Sequence, residues 1–546
     1  MTTNGTRRET HTIITNTLLA QNLDFDFGDE EMLSRIGSAD GELFRVGEAV
    51  YRQILIPELK TIRSSTLKLL SAFKGRVFYL GKAPEFVDAR RSDEAKKVFS
   101  SFTQVSFENF TFQIAADFRR VSISDSSNTQ AAPLFYRLAE FRDGYSLFIV
   151  NTSMAFENDQ KKGIMVRDRN ITCPDLTVKL ALPFKGKIAE FNAFDGSAFE
   201  IDFKYEDGFY IFNTSFDKLQ SRLYIISPEI DAPKQKVPPV FTGKVSLPDN
   251  GFDYSLSEEN ILVLDHAKWS TETESSSKEQ YIILLDDKLR AMIGEMPRGG
   301  LMEQPWHRGR KEIEKSIKLT LKYSFVCDVT PEKNCILSME NPEKFSIYLN
   351  GNEIPQNLCG FYLDCAIKNI VLDRSLFVKG VNQLVLECPQ YDYFTNLEAL
   401  YIRGAFGVDE NSHMTALPEK LFCGNWCEQF LANYAGNVTY YTFVDNPGKT
   451  TLEVPAWRGT LLGVRIDDED EKLLVTFPFE IEIPAGSHRL AITVYGHRRN
   501  ALGPFYLNEK WPERTGPYQF KVYENPNRQL VPCGLLLPPV IKPHAL

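Results

Sequence analysis

Three groups of side chains in this sequence have types and spacing suited to holding a ligand. The densest is His497-Arg498-Arg499-Asn500, which ends an alternating apolar run beside Tyr495 and Gly496. Arg and Asn donate well to hydroxyls or to a carboxylate, and Trp426, Tyr441 and Trp457 supply rings able to stack on a flat apolar face. Trp426, Tyr441, Trp457, Arg499 and Asn500 are therefore the candidate carbohydrate-binding residues. The competing reading is that Arg499 and Asn500 satisfy loop carbonyls at a domain interface while the rings fill cores. Gln304-Pro305-Trp306-His307 raises the same choice, a ligand contact or a Trp anchor at a domain junction. The third group, DDEDEK at 467–472, bunches five carboxylates at a predicted turn. It lacks the alternating ligand spacing and turn glycine of a calcium loop, so a solvated acidic turn is the expectation.

Signatures of covalent or cofactor chemistry are missing. No G-x-S-x-G elbow, H-E-x-x-H helix or Cys/His nucleophile pattern occurs. The first strand–helix turns carry no G-x-G-x-x-G and no G-x-x-x-x-G-K; Gly81 after RVFYL is one glycine where a phosphate cradle needs several. Nine cysteines at irregular spacings include Cys423 and Cys427, four apart, with no second Cys/His pair at zinc-finger distance. Ordinary reduced thiols, no metal and no cofactor are expected. Paired carboxylates for glycoside hydrolysis meet only in the folded chain and leave no spacing signature.

The elements that must position these groups are mostly strands. With 39 Phe and 22 Tyr and frequent alternation, the composition favours β structure over helical bundles. Strand and helix alternate from residue 24 to about 120: ILIPEL, a helix over 64–75 with a Ser cap, RVFYLG, then a capped helix over 92–102. After about 130 the helical pattern nearly disappears. A hairpin over 133–153 is predicted with Asp143-Gly144 at its turn, and Asn350-Gly351 marks another. VKGVNQLVLEC (378–388) is echoed by PAGSHRLAITV (484–494). In each, a turn glycine, Gly380 or Gly486, is followed two residues later by Asn382 or His488 and then by an apolar strand; the two glycines lie 106 residues apart, about one domain length.

The expected fold class is thus multidomain and mainly β. Residues 1–125 form a small α/β domain, 126–227 a β-sandwich, and 228–312 a linker and transitional segment. Residues 313–410 and 411–546 form two related sandwiches. The modest net charge of −10 is spread along the chain with no basic stripe, which argues against nucleic acid or an anionic membrane surface as partner. The N-terminal stretch has no signal-peptide pattern and no apolar run is long enough to span a bilayer, so a cytoplasmic protein is expected.

DFDFGDEEML (24–33) through ELFRVGEAVYRQILIPELKTIRSSTLKLLSAFK (42–74), then EQPWHRG (303–309), FSIYLNGNEI (345–354), YIRGAFGV (401–408) and VYGHRRNALGPF (494–505), follow one another in a familiar order. In that order they resemble the C-terminal portion of large bacterial α-L-rhamnosidase-like glycoside hydrolases, from about residue 12 to 541. The resemblance implies that the first domain is flavodoxin-like and that the last two sandwiches are galactose-binding-like jelly rolls. In such enzymes the acid/base pair is expected on a (β/α)-barrel of about 250 residues. Only about the first 125 residues here alternate that way, so a barrel does not fit and no catalytic residue carries over. The implied function is the non-catalytic, carbohydrate-binding or barrel-supporting half of such an enzyme, acting in glycan breakdown on a plant or bacterial oligosaccharide. A separately encoded barrel is one implied partner, and there is room for a homo-oligomer. The alternatives are a stand-alone assembly protein without sugar binding, or a hydrolase with an inter-domain carboxylate site.

Overall fold

The computed structural model describes residues 4–115, 119–153, 170–183, 185–193, 196–234, 240–298, 315–508 and 515–545. The chain divides into two compact units, Met1–Pro238 and Pro239–Leu546. Antiparallel sheets dominate both, and the chain is a multidomain, mainly β protein. Among the described residues no helix is long and apolar enough to cross a membrane.

The first unit opens with the strand–helix alternation read from the sequence. Strands Gln53–Ile56, Arg76–Leu80 and Thr103–Val105 form a parallel sheet. Helices Ser64–Ala72 and Glu94–Phe99 connect them and bury Leu67, Leu70 and Phe99 against Ile56 and Val77. A parallel sheet needs such crossovers, which is why helix and strand must alternate. The expected Ser cap is displaced by one residue. Arg63 holds the cap position, and the Ser64 N–H is satisfied by the Asp88 carboxylate at 3.0 Å.

Two antiparallel sheets follow, built on Cys173–Ala181 and Phe209–Phe216 in one and on Gly144–Asn151 and Ser221–Ser227 in the other. Their inward residues, among them Leu147, Ile149, Val178, Tyr210 and Ile226, make one shared core. The predicted hairpin is present, but Phe141 pairs Gly144, so Arg142-Asp143 is the turn and Gly144 already belongs to the strand. That glycine is required by close approach, since a Cβ there would overlap the Ile226 carbonyl oxygen. Gly144→Ala is expected to destabilise the first unit by about 1–3 kcal/mol, read from its urea midpoint.

The second unit holds two sandwiches. One packs a sheet built on Asn260–Leu264, Leu400–Gly404 and Cys335–Glu340 against a sheet built on His266–Ser270, Ile317–Cys327 and Gly380–Tyr391. The other packs Val438–Asn446, Gly486–Tyr495 and Leu461–Ile466 against Thr450–Glu453, Glu480–Ile483 and Val540–Pro543. Residues 240–298, read above as linker and transitional, are largely regular structure: five strands and the helix Ile282–Met292. Val245–Ser246 pairs Val540–Pro543, and Asp253–Leu256 pairs Val438–Asn446, so both belong to the last sandwich. Asn260–Leu264 then opens the other.

The two repeated motifs share local backbone features. Gly380 and Gly486 have φ of +96° and +127° and begin the long strands Gly380–Tyr391 and Gly486–Tyr495. Both strands have a neighbour on each side in their sheets. Two residues on, the polar side chain ties down an adjacent turn. Asn382 exchanges hydrogen bonds with the Val378 backbone at 2.7 and 2.9 Å. The His488 imidazole meets Asp467 of the acidic turn at 2.7 Å, and the Arg489 N–H donates to the same carboxylate at 2.8 Å. The hydrogen bond to Asp467 raises the His488 pKa above its usual 6.5, and the same bond lowers Asp467. The His488 contribution to stability is therefore complete below pH 6.5 and lost as pH rises through its raised value, while the Asp467 contribution fades as pH falls through its lowered one. An NMR titration should place the His488 midpoint above 6.5, and Asp467→Asn should bring it back toward that value. An unchanged midpoint in the variant would sink the assignment.

Candidate functional site

The strand Asn260–Leu264 is buried along its whole length, so the chain leaves it in an apolar setting. The next two residues are charged or polar: Asp265, 2% exposed, and His266, which starts the following strand. A buried carboxylate needs partners, and Asp265 has three. Its Oδ1 accepts from Arg528 Nη2 at 2.6 Å and lies 2.9 Å from His266 Nδ1, and its Oδ2 accepts from the Tyr506 hydroxyl at 2.7 Å. Burial alone would raise this carboxyl, but Arg528, His266 and Tyr506 together hold it at about 2. Because the ionised carboxylate only accepts, His266 carries a hydrogen on Nδ1, and its Nε2 lies 3.1 Å from the Tyr523 hydroxyl.

Arg528 is fixed by more than the ion pair. Nη2 also donates to the Val263 carbonyl at 2.9 Å, Nη1 to Ser412 Oγ at 3.0 Å and Nε to the Tyr506 oxygen at 3.2 Å. Tyr281, Tyr506 and Tyr523 pack beside the dyad with ring centroids 4.7 to 5.5 Å apart.

A cavity of about 720 Å³ opens over this cluster, within the second unit. Its floor is Asp265, His266, Tyr506 and Arg528. One rim is the loop carrying Asn411, Ser412 and His413. That loop is braced by the Asp409 carboxylate, which accepts from the Asn411 and His413 N–H groups at 3.0 and 2.7 Å. Asn425 and Glu428 form a second rim, Asn527 and Gln529 a third, and Glu279 and Ser324 reach in from strands. The lining is rich in amides, hydroxyls and carboxylates, which can donate and accept in turn around a hydroxylated ligand. Among the described residues no group of three or more His, Cys, Asp and Glu is placed to hold a metal ion.

The sequence-derived candidates lie elsewhere. Trp426 is fully buried, edge-on to Tyr434 at 5.9 Å, so its ring offers no stacking face. Its Nε1–H has no partner among the described residues. Trp426→Phe removes that unpartnered N–H but leaves a cavity, so it should cost about 1–3 kcal/mol in a denaturant titration, less than Trp426→Ala. Tyr441 lies half-buried on the outer face of its sheet, bonded to Ser255 at 2.9 Å and covered by the Arg489 guanidinium 4.6 Å from its ring centre. Trp457 packs edge-on against Phe479 at 5.1 Å. Arg499 begins a short helical turn over Arg499–Leu502 and does not line the cavity. Asn500 is buried and braces the cavity wall from behind. Its Nδ2 donates to Cys427 Sγ at 3.1 Å and to the Val531 carbonyl at 2.8 Å, and its Oδ1 accepts from the Val531 N–H at 2.9 Å. Gln304-Pro305-Trp306-His307 falls outside the described residues. Cys423 and Cys427 form no disulfide, and burial pushes the Cys423 thiol up to about 12.

Sequence reasoning missed Asp265, His266, Tyr506 and Arg528. One signal was available, since Asp265-His266 abruptly ends the apolar run ILVL at 261–264. Nothing local marks Arg528, which is 263 residues away.

No protein-family profile and no curated protein matches the chain. Solved structures do. A rhamnosidase from Novosphingobium sp. PP1Y is 11% identical over 69% of this chain and 36% of its own, with a TM-score of 0.30. A β-D-mannosidase from Dictyoglomus thermophilum is 13% identical over 44% of this chain and 31% of its own, with a TM-score of 0.18. A β-glucuronidase from Ruminococcus gnavus is 12% identical over 46% and 40%, with a TM-score of 0.14. The chain thus spans about a third of the length of the first two.

Proposed function

We propose that this protein binds carbohydrate in the cavity over Asp265, as the glycan-holding part of a glycoside-hydrolase assembly. The observation that supports the reading is the lining itself: amides, hydroxyls and carboxylates converge on a volume of about 720 Å³ above an internally neutralised Asp265–Arg528 floor. Cavities of about 300–1,000 Å³ suit small-molecule ligands, and alternating donors and acceptors suit a chain of hydroxyls. The rim groups come from loops on rigid sheets, which lets a few side chains be positioned without being part of a core.

Asp265 does not suit the role of a glycosidic general acid, which needs a carboxyl with a raised pKa, since Arg528, His266 and Tyr506 hold it at about 2.

The test is a glycan-binding screen on the purified full chain, followed by calorimetry on the hits. Asn411→Ala with Asn527→Ala, both exposed on the rim, should weaken a genuine ligand about ten-fold or more without changing the melting temperature. Binding that survives the double variant unchanged would place the ligand elsewhere, and a screen with no hits would defeat the reading.

A further inference from the structure

We propose that the cavity over Asp265 selects oligosaccharides bearing protonated amines, de-N-acetylated amino sugars, over neutral or acidic ones; this rests on the carbohydrate-binding reading above. The charge of the lining decides the class. Four carboxylates, Asp265, Glu279, Glu410 and Glu428, face one guanidinium, Arg528. Arg528 is engaged by Asp265 at 2.6 Å, so that pair cancels. Three carboxylates remain toward the ligand. All three residues are exposed, and among the described residues none is paired with a cation. Glu428 accepts only the neutral Asn425 amide, at 3.0 Å.

The two histidines of the lining do not cancel this charge: His413 has a carboxylate of its own, Asp409, at 3.8 Å, and His266, which shares Asp265 with Arg528, can offset no more than one of the three glutamates. The three glutamates also come from three different elements. Glu279 is on the strand Ser275–Tyr281, Glu410 follows the strand Gly407–Val408, and Glu428 ends the turn Trp426–Glu428. Carboxylates that converge on one volume from separate elements create a field at its centre that a run along one solvated loop does not. An ammonium placed there is attracted by all three, a uronate carboxylate is repelled by all three, and a neutral sugar has hydrogen bonds alone.

The experiment compares three probes on the full chain by calorimetry: a glucosamine trimer, its N-acetylated counterpart and a galacturonic acid trimer. At about 20 mM salt the amine-bearing trimer should bind about ten-fold tighter or more than the acetylated one, and the advantage should shrink at about 300 mM as exposed charges are screened. Glu410→Gln with Glu428→Gln removes two of the three carboxylates, so it should weaken the amine-bearing trimer several-fold more than the acetylated one and bring their ratio down toward one. Asp468→Asn with Asp470→Asn, the same charge change on the acidic turn, should leave the preference intact. If that control lowers it equally, the effect is net charge and the inference falls. Tighter or equal binding of the acetylated or uronate trimer, still sensitive to Asn411→Ala with Asn527→Ala, overturns the inference and keeps the carbohydrate reading. No binding by any of the three overturns the inference, while the carbohydrate reading stands or falls on the glycan screen.

Discussion

Replacing Asp286 with Ala should lower the unfolding free energy of the second unit by about 3–5 kcal/mol, the range for breaking a buried ion pair by removing one partner. Asp286 sits in the helix Ile282–Met292 at 1% exposure, and its Oδ2 meets Arg290 Nε at 3.0 Å and Arg298 Nε at 2.8 Å. Oδ1 accepts from the Tyr391 hydroxyl at 2.8 Å and from the Leu397 N–H at 3.2 Å. The carboxylate therefore joins the helix to the loop that follows the strand Gly380–Tyr391. Without it, Arg290 stays buried at 4% exposure with only carbonyl and amide oxygens to meet its charge. Asp286→Asn keeps the shape and part of the hydrogen bonding, so it should fall between wild type and Ala. Urea titration of the three proteins checks the order. A loss below about 1 kcal/mol for Ala would show that the network relaxes without its centre.

The second large effect belongs to Asp265 and Arg528. Asp265→Ala and Arg528→Met should each cost about 3–5 kcal/mol, because either leaves the other charge buried and unpaired. Asp265→Leu combined with Arg528→Met should cost clearly less than the sum, since both desolvated charges then disappear. A double-mutant cycle measures that coupling, and additive losses would contradict it. The pair also fixes a pH dependence. The Asp265 carboxyl is lowered from 3.8 to about 2, so its contribution is present above pH 3.8 and is lost as pH falls through about 2. Over that window it amounts to about 2–3 kcal/mol. The difference in stability between wild type and the Leu/Met double variant should therefore move toward the variant's favour between pH 4 and about 2.

Elements whose signal is local were legible in the sequence. The Asn350-Gly351 turn is there, with φ of +51° and +82° at its two residues, the pair of positive torsions that a type I′ hairpin turn requires and that Asn-Gly adopts at little cost. Gly380 and Gly486 marked the repeat for the same kind of reason. Gly144 was found and misread: the glycine serves close approach to Ile226, a neighbour 82 residues away, and the pattern around it carries no trace of that contact. The strands Val245–Ser246, Asp253–Leu256 and Asn260–Leu264 were missed because they are short and their partners lie about 140 to 300 residues downstream. The residues that line the cavity were illegible for the same cause. Aromatic and Arg-rich stretches drew the reading toward Trp426 and Arg499, while the cluster that lines the cavity is assembled from residues near 265, 412, 506 and 528.

The crossing of strands between the two C-terminal sandwiches has a consequence for how the chain is made. Val245 pairs Ile541, and Asp253 pairs Tyr441, so the last sandwich holds two strands that leave the ribosome long before the rest of it. The sandwich that begins at Asn260 can close once the strand Leu400–Gly404 has emerged, while residues 245–256 wait with open edges. Synthesis therefore passes through a stage in which one sandwich is finished and the other is represented only by its earliest strands. A fragment beginning near residue 313 would lack those strands for good and would expose the edges of Val438–Asn446 and Val540–Pro543, making it prone to aggregate where the intact chain is not.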